Sequence, residues 1–325
     1  MSLDAVVEAI KTFPGVTRKN PIHTIVESFP INGFPHVAAA AGEDAAAIES
    51  GDEYILLATD GIMEALVNTN PFYAGYYAVL VNVNDIAAMG GRALAMMDVI
   101  SLSKSTICNQ ILRGMALGVK KFNVPIVGGH THPDSRHNAI NISVMGKVPK
   151  DDIILSSEAR DGDDIVFVID LDGHYPEGMM HAWDTTMDKE PAEVQRQMDL
   201  LPRIAALHLV NSGKDMSNPG CIGTLGMMLE SSCKGGTVDL DLIPRPEGVD
   251  LIRWVLSYQG CGFVFACPPE NSDEVIRLFA EVGCTGAVVG SVDPGRKLKL
   301  VRGGESRVLF DFETEIISGC VPIRR

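Results

Sequence analysis

Basic side chains are scarce: 27 Lys and Arg stand against 42 Asp and Glu in 325 residues, a formal charge of −15 at pH 7. So acidic a chain repels polyanions and lacks the positive footprint of a nucleic-acid binder. It has no simple attraction to acidic lipid headgroups either. Any phosphate it binds must be held locally, by backbone N–H groups or through metal ions. Long apolar runs are also missing, none reaching the roughly 18–20 residues that span a bilayer. The opening MSLDAVVEAIKTFPG has no basic stretch followed by an apolar one, so no secretory signal is expected. The seven cysteines (108, 221, 233, 261, 267, 284, 320) are odd in number and form no C-x-x-C pair. That argues against a zinc ribbon, a redox motif and a disulfide framework. The expectation is a reduced, cytoplasmic, globular protein with neither nucleic acid nor membrane as partner.

What is present is an interleaving of strand and helix patterns. A helix is expected over 3–12, with Leu3, Val6, Val7 and Ile10 on one face. A loop should follow from Pro14-Gly15 to Pro35. Strands are read at 37–41, 54–60, 93–103, 124–129 and 138–148, with helices at 72–90 and at 105–122, the latter capped by Ser105. Charge density rises and periodicity lapses over 149–164, which divides the chain into 1–150 and 151–325. The second half should hold strands at 164–171 and 261–267. Its helices are read at 190–210 (interrupted by Pro202), 220–232, 246–259 and 272–283, the last capped by Ser272. The fold class is α+β with α/β-type alternation, in two domains.

Five segments carry candidate chemistry. GEDAAAI (42–48) sets Asp44 before an apolar stretch, although an ordinary Asp turn accounts for it alone. In ATDGI (58–62), Asp60 closes a strand before a Gly61 turn, where a carboxylate suits a hard cation and suits a plain turn equally. In the apolar helix 76–91, Asn82, Asn84 and Asp85 break the pattern. Asn82 and Asp85 share a face, and a buried Asp there needs a partner; an exposed polar stripe is the alternative. VPIVGGHTHPDS (124–135) runs a strand into Gly128-Gly129, where a phosphate can approach bare backbone. His130, His132 and His137 lie close by, but no H-E-x-x-H or nearby Cys supports zinc. In KDMSNPGCIGTLGMMLE (214–230), Asp215 and Ser217 precede a helix start that favours an anion; simple capping would also explain them. A Walker A loop, the protein-kinase signatures and G-x-G-x-x-G are all absent.

In order and spacing, GEDAAAI, LLATDGI, VNVNDIAAMGG, IVGGHT and KDMSNPG…GTLGMMLE resemble the superfamily of aminoimidazole ribonucleotide (AIR) synthase, thiamine-monophosphate kinase, selenophosphate synthetase and the hydrogenase maturation protein HypE. The chain looks most similar to stand-alone AIR-synthase-related proteins of methanogens, of the methanogenesis-marker type. The resemblance implies a PurM-like homodimer whose N-terminal domains share a barrel, with an α+β sandwich as C-terminal domain. It implies ATP and Mg²⁺ as cofactors. Asp44, Asp60, Asp85 and Asp215 then match metal-binding acids, with Asp44 and Asp215 at the reacting centre. Gly128, Gly129, His130, Thr131, Asn84, Ser217 and Asn218 match nucleotide contacts. Four departures stand out. Asn218 replaces the second Asp of the kinase D-x-S-D-G, and His130 replaces an Asp of that branch. The N-terminal loop is read as lacking the Cys and Lys of the selenophosphate branch, and residues 1–107 hold no Cys. Cys320 is followed by VPIRR, so the role of HypE's terminal cysteine is not transferred.

The expected function is ATP-dependent phosphorylation or activation of a small metabolite. The alternative is a non-catalytic or weakly hydrolytic nucleotide-dependent protein that assists maturation of another protein or cofactor. The substrate pocket is expected from loops 15–36 and 172–190, which carry His23, His36, His174, His181 and Trp183.

Overall fold

Leu3, Val6 and Ile10 are buried along one side of the first helix, and the Ser2 hydroxyl accepts the Ala5 N–H at its start. The computed structural model describes residues 2–31, 33–103, 105–258, 260 and 262–320. Its first half contains α1 (Leu3–Thr12), α2 (Pro14–Thr17), α3 (Ile22–Ser28), β1 (Val37–Ala39), β2 (Ala46–Ser50) and β3 (Glu53–Ile62). It continues with α4 (Glu64–Thr69), α5 (Pro71–Ala88), β4 (Arg92–Ser101), α6 (Ser105–Phe122), β5 (Ile126–His132) and β6 (Ala139–Pro149). The second half contains β7 (Asp164–Ile169), α7 (Pro191–Ala206), β8 (Ser212–Asp215), α8 (Gly220–Ser232), β9 (Gly235–Asp239) and α9 (Leu251–Val255). It ends with β10 (Gly262–Cys267), α10 (Pro269–Ala280), β11 (Thr285–Asp293), β12 (Lys297–Arg302) and β13 (Glu305–Asp311).

The first sheet runs β1-β2-β3-β6-β4-β5, antiparallel except for β4–β5. Strict alternation in β6 buries Ile140, Ile142, Val144 and Val148 beneath α5, while Asn141, Ser143 and Met145 face outward. That outer face is unusually apolar, with Leu57, Met97, Val99 and Met145 exposed on it. The second sheet runs β13-β12-β9-β11-β7-β10-β8, antiparallel except for β12–β9. Both of its faces are covered. Ile165, Phe167 and Ile169 of β7 join the core that includes α1, α8 and α9. Val166 and Val168 join the core of α7, α10 and the end of α5. This is a mixed α+β fold built on two sheets, and among the described residues no helix is long and apolar enough to cross a membrane.

Several expectations need correction. The loop read after Pro14 contains α2 and α3, and α4, β8 and β9 were not foreseen. The 246–259 helix shrinks to α9, while α7 continues through Pro202 and ends at Ala206. Ser272 does not cap α10; it lies inside the helix and donates to Asp164 Oδ2 at 2.7 Å. Cys261 and residues 321–325 lie outside the described residues, as does the Ser105 side chain, whose residue is the first of α6 rather than its cap.

Candidate functional site

A cavity of about 420 Å³ opens between the two halves. It is lined by the turn 42–44, the end of β3, the middle of α5, the β8–α8 connection, and Ser318 and Cys320. Its floor is acidic. Asp44 comes from the turn before β2, Asp85 from α5 and Asp215 from the last position of β8. Each offers a carboxylate oxygen within 4.8 Å of the other two. Three elements far apart in sequence are thus brought to one point.

Lys214, unforeseen from the sequence, pairs with Asp44 Oδ1, and both side chains are buried. Asp44 Oδ2 is buried without a hydrogen-bond partner, and so is Asn84 Oδ1 on the same cavity. Asn84 Nδ2 is fixed at 3.0 Å from Gly260 O. Burial pushes all three carboxyls above their ordinary range. Lys214 partly offsets this for Asp44. Asp85 is raised well above it, with Asp215, Asp44 and Asp60 adding to burial. Asp215 is raised to about 8 by burial and then by Asp44. Burial alone would lower the Lys214 ammonium, but Asp44, Asp215 and Glu43 together hold it above the usual lysine value.

Three such oxygens suit a hard divalent cation, whose ligand oxygens spread over about twice a metal–oxygen distance of roughly 2.0–2.6 Å. The two orphaned oxygens are the kind of buried polar atom that a bound ion or ligand satisfies. Above the floor the rim turns basic. Arg18 and Lys19, at the end of α2, line the cavity. Burial lowers the Lys19 ammonium, opposed chiefly by Asp60. The N-terminal segment thus supplies a lysine to the cavity.

The remaining candidates divide. Asn84, Ser217 and Asn218 line the cavity, whereas Asn82 does not; its Nδ2 bonds back to Ala78 O at 2.8 Å. Asp60 lines it too, although not as a strand terminus. Asp60 and Gly61 are paired within β3, opposite Ile142 and Asn141, and the Gly61 N–H donates to Asp60 Oδ1 at 2.7 Å. Neither Ser217 nor Asn218 caps α8, whose N-cap Pro219 has no side-chain bond to give. Gly128, Gly129, His130 and Thr131 lie within edge strand β5, exposed and outside the cavity walls, so the expected turn after 129 is strand. Gly129 is required there for packing: a Cβ would stand 2.2 Å from Asp98 Oδ1. His130 and His132 stack edge-to-face at 4.6 Å on β5, and neither lines the cavity. The 172–190 loop does not reach the main cavity; it borders a separate one of about 410 Å³ with His174 and Asp184. None of His23, His36, His181 and Trp183 lines the main cavity.

Residues 42–148 match the family model of the AIR synthase related protein N-terminal domain, and residues 161–303 match that of the C-terminal domain. The chain is an AIR synthase related protein. It is 46% identical over 324 residues to an uncharacterised protein of Methanocaldococcus jannaschii, covering 98% of this chain and 100% of the other. It is 25% identical to the selenide, water dikinase of Carboxydothermus hydrogenoformans, over 87% of this chain and 86% of that one. In fold, this AIR synthase related protein aligns with T. maritima PurL complexed with FGAR at TM-score 0.77 and 16% identity, over 100% of its length and 54% of PurL. It thus spans about half of the PurL chains it matches. AaThiL complexed with AMPPCP and TMP aligns at TM-score 0.65 and 19% identity, over 87% and 92% of the two chains. The PurM-like, two-domain architecture inferred from the motifs is therefore the one observed.

Proposed function

We propose that this protein is an ATP- and Mg²⁺-dependent enzyme that transfers a phosphoryl group to a small metabolite, acting as a homodimer of two-domain chains. One observation carries the reading. The cavity joins three convergent carboxylates, one bearing an orphaned oxygen, to a basic rim of Arg18 and Lys19. An acidic floor repels a bare polyphosphate and accepts one that arrives with its metal. PurL structures carrying ADP and ATP, and the ThiL structure carrying AMPPCP and TMP, support the choice of ligand.

In this reading Asp44, Asp85 and Asp215 would hold Mg²⁺, which would supply positive charge to offset that of the phosphates. Lys19 and Arg18 bind the same anion from the rim, and Asn84, Ser217 and Asn218 orient the ligand with amide and hydroxyl groups. Catalysis then rests on positioning and electrostatics rather than on a covalent intermediate. The apolar outer face of the first sheet seats a second copy, and Gly128, Gly129, His130 and Thr131 on β5 contribute to the nucleotide site at that seam.

Calorimetry with Mg-ATP tests the proposal. Wild-type protein should bind at submillimolar nucleotide, Asp85→Asn should lose at least about tenfold in affinity, and Asp60→Asn should lose less. No binding at millimolar nucleotide, or full affinity in both variants, overturns it. A thermal-shift screen of phosphorylated and carboxylated metabolites, with Mg²⁺ and a non-hydrolysable ATP analogue present, identifies the acceptor. Asn218, which lines the cavity as a neutral side chain, favours the second reading of a nucleotide-dependent maturation protein. ATP turnover that rises only with a protein partner would select it.

A further inference from the structure

The three floor carboxylates carry three negative charges when ionised, and Lys214 returns one positive charge to the same buried space. The remaining double charge is that of a divalent ion with its sign reversed. Geometry points the same way. Lys214 takes Asp44 Oδ1 and leaves Oδ2 as the unpartnered oxygen. Its backbone is fixed within β8, opposite Val264 of β10, and all four residues of that strand are buried. The ammonium therefore approaches Asp44 from the edge strand of the second sheet, with little of the side chain exposed.

We propose that Lys214 is a positioning residue that sets the valence of the cation site, turning Asp44 Oδ2 toward the ion while matching the site's net charge to two. The inference rests on the acidic floor being the cation site and goes beyond it by naming what selects the ion's charge. Buried among carboxylates, a unit charge a few ångströms from the ion acts more strongly on a trivalent than on a divalent one. Removing it while Asp44 stays in place should favour the trivalent ion.

The test compares Ca²⁺ with Tb³⁺, ions of similar size and different charge, on the full chain by competition titration. In Lys214→Met and Lys214→Gln the preference for Tb³⁺ over Ca²⁺ should rise at least about tenfold over wild type, whereas Lys214→Arg should keep the wild-type ratio. An unchanged ratio in Met and Gln variants, with wild type binding both ions, overturns the role of Lys214 alone. Failure of wild type to bind either ion overturns the cation site and this inference together. A crystal structure of wild-type protein with Mn²⁺ does not depend on the variants folding. The anomalous peak should lie on the Oδ2 side of Asp44 with Nζ still on Oδ1; displacement of Lys214 from Asp44 overturns the proposal.

Discussion

Gly15 lies directly against Asn218: a Cβ at Gly15 would stand 2.2 Å from the Asn218 carbonyl oxygen and 2.6 Å from its Oδ1. This contact locks the N-terminal segment onto the loop that follows Asp215. Through it Arg18 and Lys19 are carried to the rim of a cavity whose floor comes from residues up to 200 positions away. Gly15→Ala has no room against backbone, so the segment must lift. A destabilisation of about 1–3 kcal/mol is expected from the overpacking, together with weaker binding of Mg-ATP. Melting temperature and calorimetry check the two effects. A variant unchanged in both would show that the basic rim does not depend on this seat.

A second buried anchor holds the other end of the chain. Glu230, within α8, accepts hydrogen bonds from the backbone N–H of Ile317 at 2.7 Å, Ser318 at 2.9 Å and Gly319 at 3.2 Å, and from the Ser318 hydroxyl at 2.8 Å. The clamp presses Ser318 and Cys320 into the cavity wall. Glu230→Ala strands several buried donors at once and should cost about 2–5 kcal/mol. The Cys320 thiol is buried, and that burial raises it above the usual thiol range, so in wild type it should resist alkylation. In the variant, mass-spectrometric mapping should find Cys320 labelled at least about tenfold faster. Equal labelling rates would mean that Glu230 does not govern the segment.

The open face of the first sheet makes its own prediction. Met97 is 55% exposed, and with Leu57 and Met145 it lines an apolar depression on that face. Contiguous exposed apolar surface of this kind marks an interaction site. Met97→Glu places a charge there without touching either core. Light scattering should find wild type as a dimer and the variant as a folded monomer. A wild-type monomer, or a dimeric variant, would remove this face from the assembly.

The acids were legible in sequence because they stand out from their surroundings: Asp85, with Asn82 and Asn84, in a mostly apolar helix, and Asp215 before a Gly-punctuated helix. Their grouping came only from the family resemblance, since periodicity places a residue on an element and says nothing of which elements meet. Lys214 left a faint signal, a lysine beside Asp215 in a short stretch of small residues. Strand β8 is only four residues long, too short for alternation to reveal it. Asp60-Gly61 and Gly128-Gly129 misled for one shared reason. Glycine pairs signal turns by default, yet both pairs continue inside strands, Gly129 because Asp98 leaves no room for a side chain. The rim was missed because α2 and α3 are short and begin at prolines or close to them, which reads as loop.

The elevated floor carboxyls fix the pH dependence of the metal-free protein. An Asp whose ordinary value is near 3.8 but which is raised to about 8 in the folded chain keeps a proton that the unfolded chain has already released. Over that interval the folded state binds more protons, so stability falls as pH rises. The contribution of Asp215 is complete below about pH 4, declines progressively, and levels off once pH passes about 8. Asp44 and Asp85 act in the same direction, since both are also raised. Asp215→Asn resembles the protonated form and cannot ionise. Relative to wild type in a chelator, it should therefore gain melting temperature from pH 5 up to about pH 8 and keep that gain at pH 9. Subtracting the two curves cancels the histidines and surface charges that titrate in both proteins. Added Mg²⁺ should reverse the trend in wild type, because an ion that binds ionised carboxylates stabilises more as they lose their protons. A difference curve that is flat across this range would show that Asp215 is ionised in the empty site.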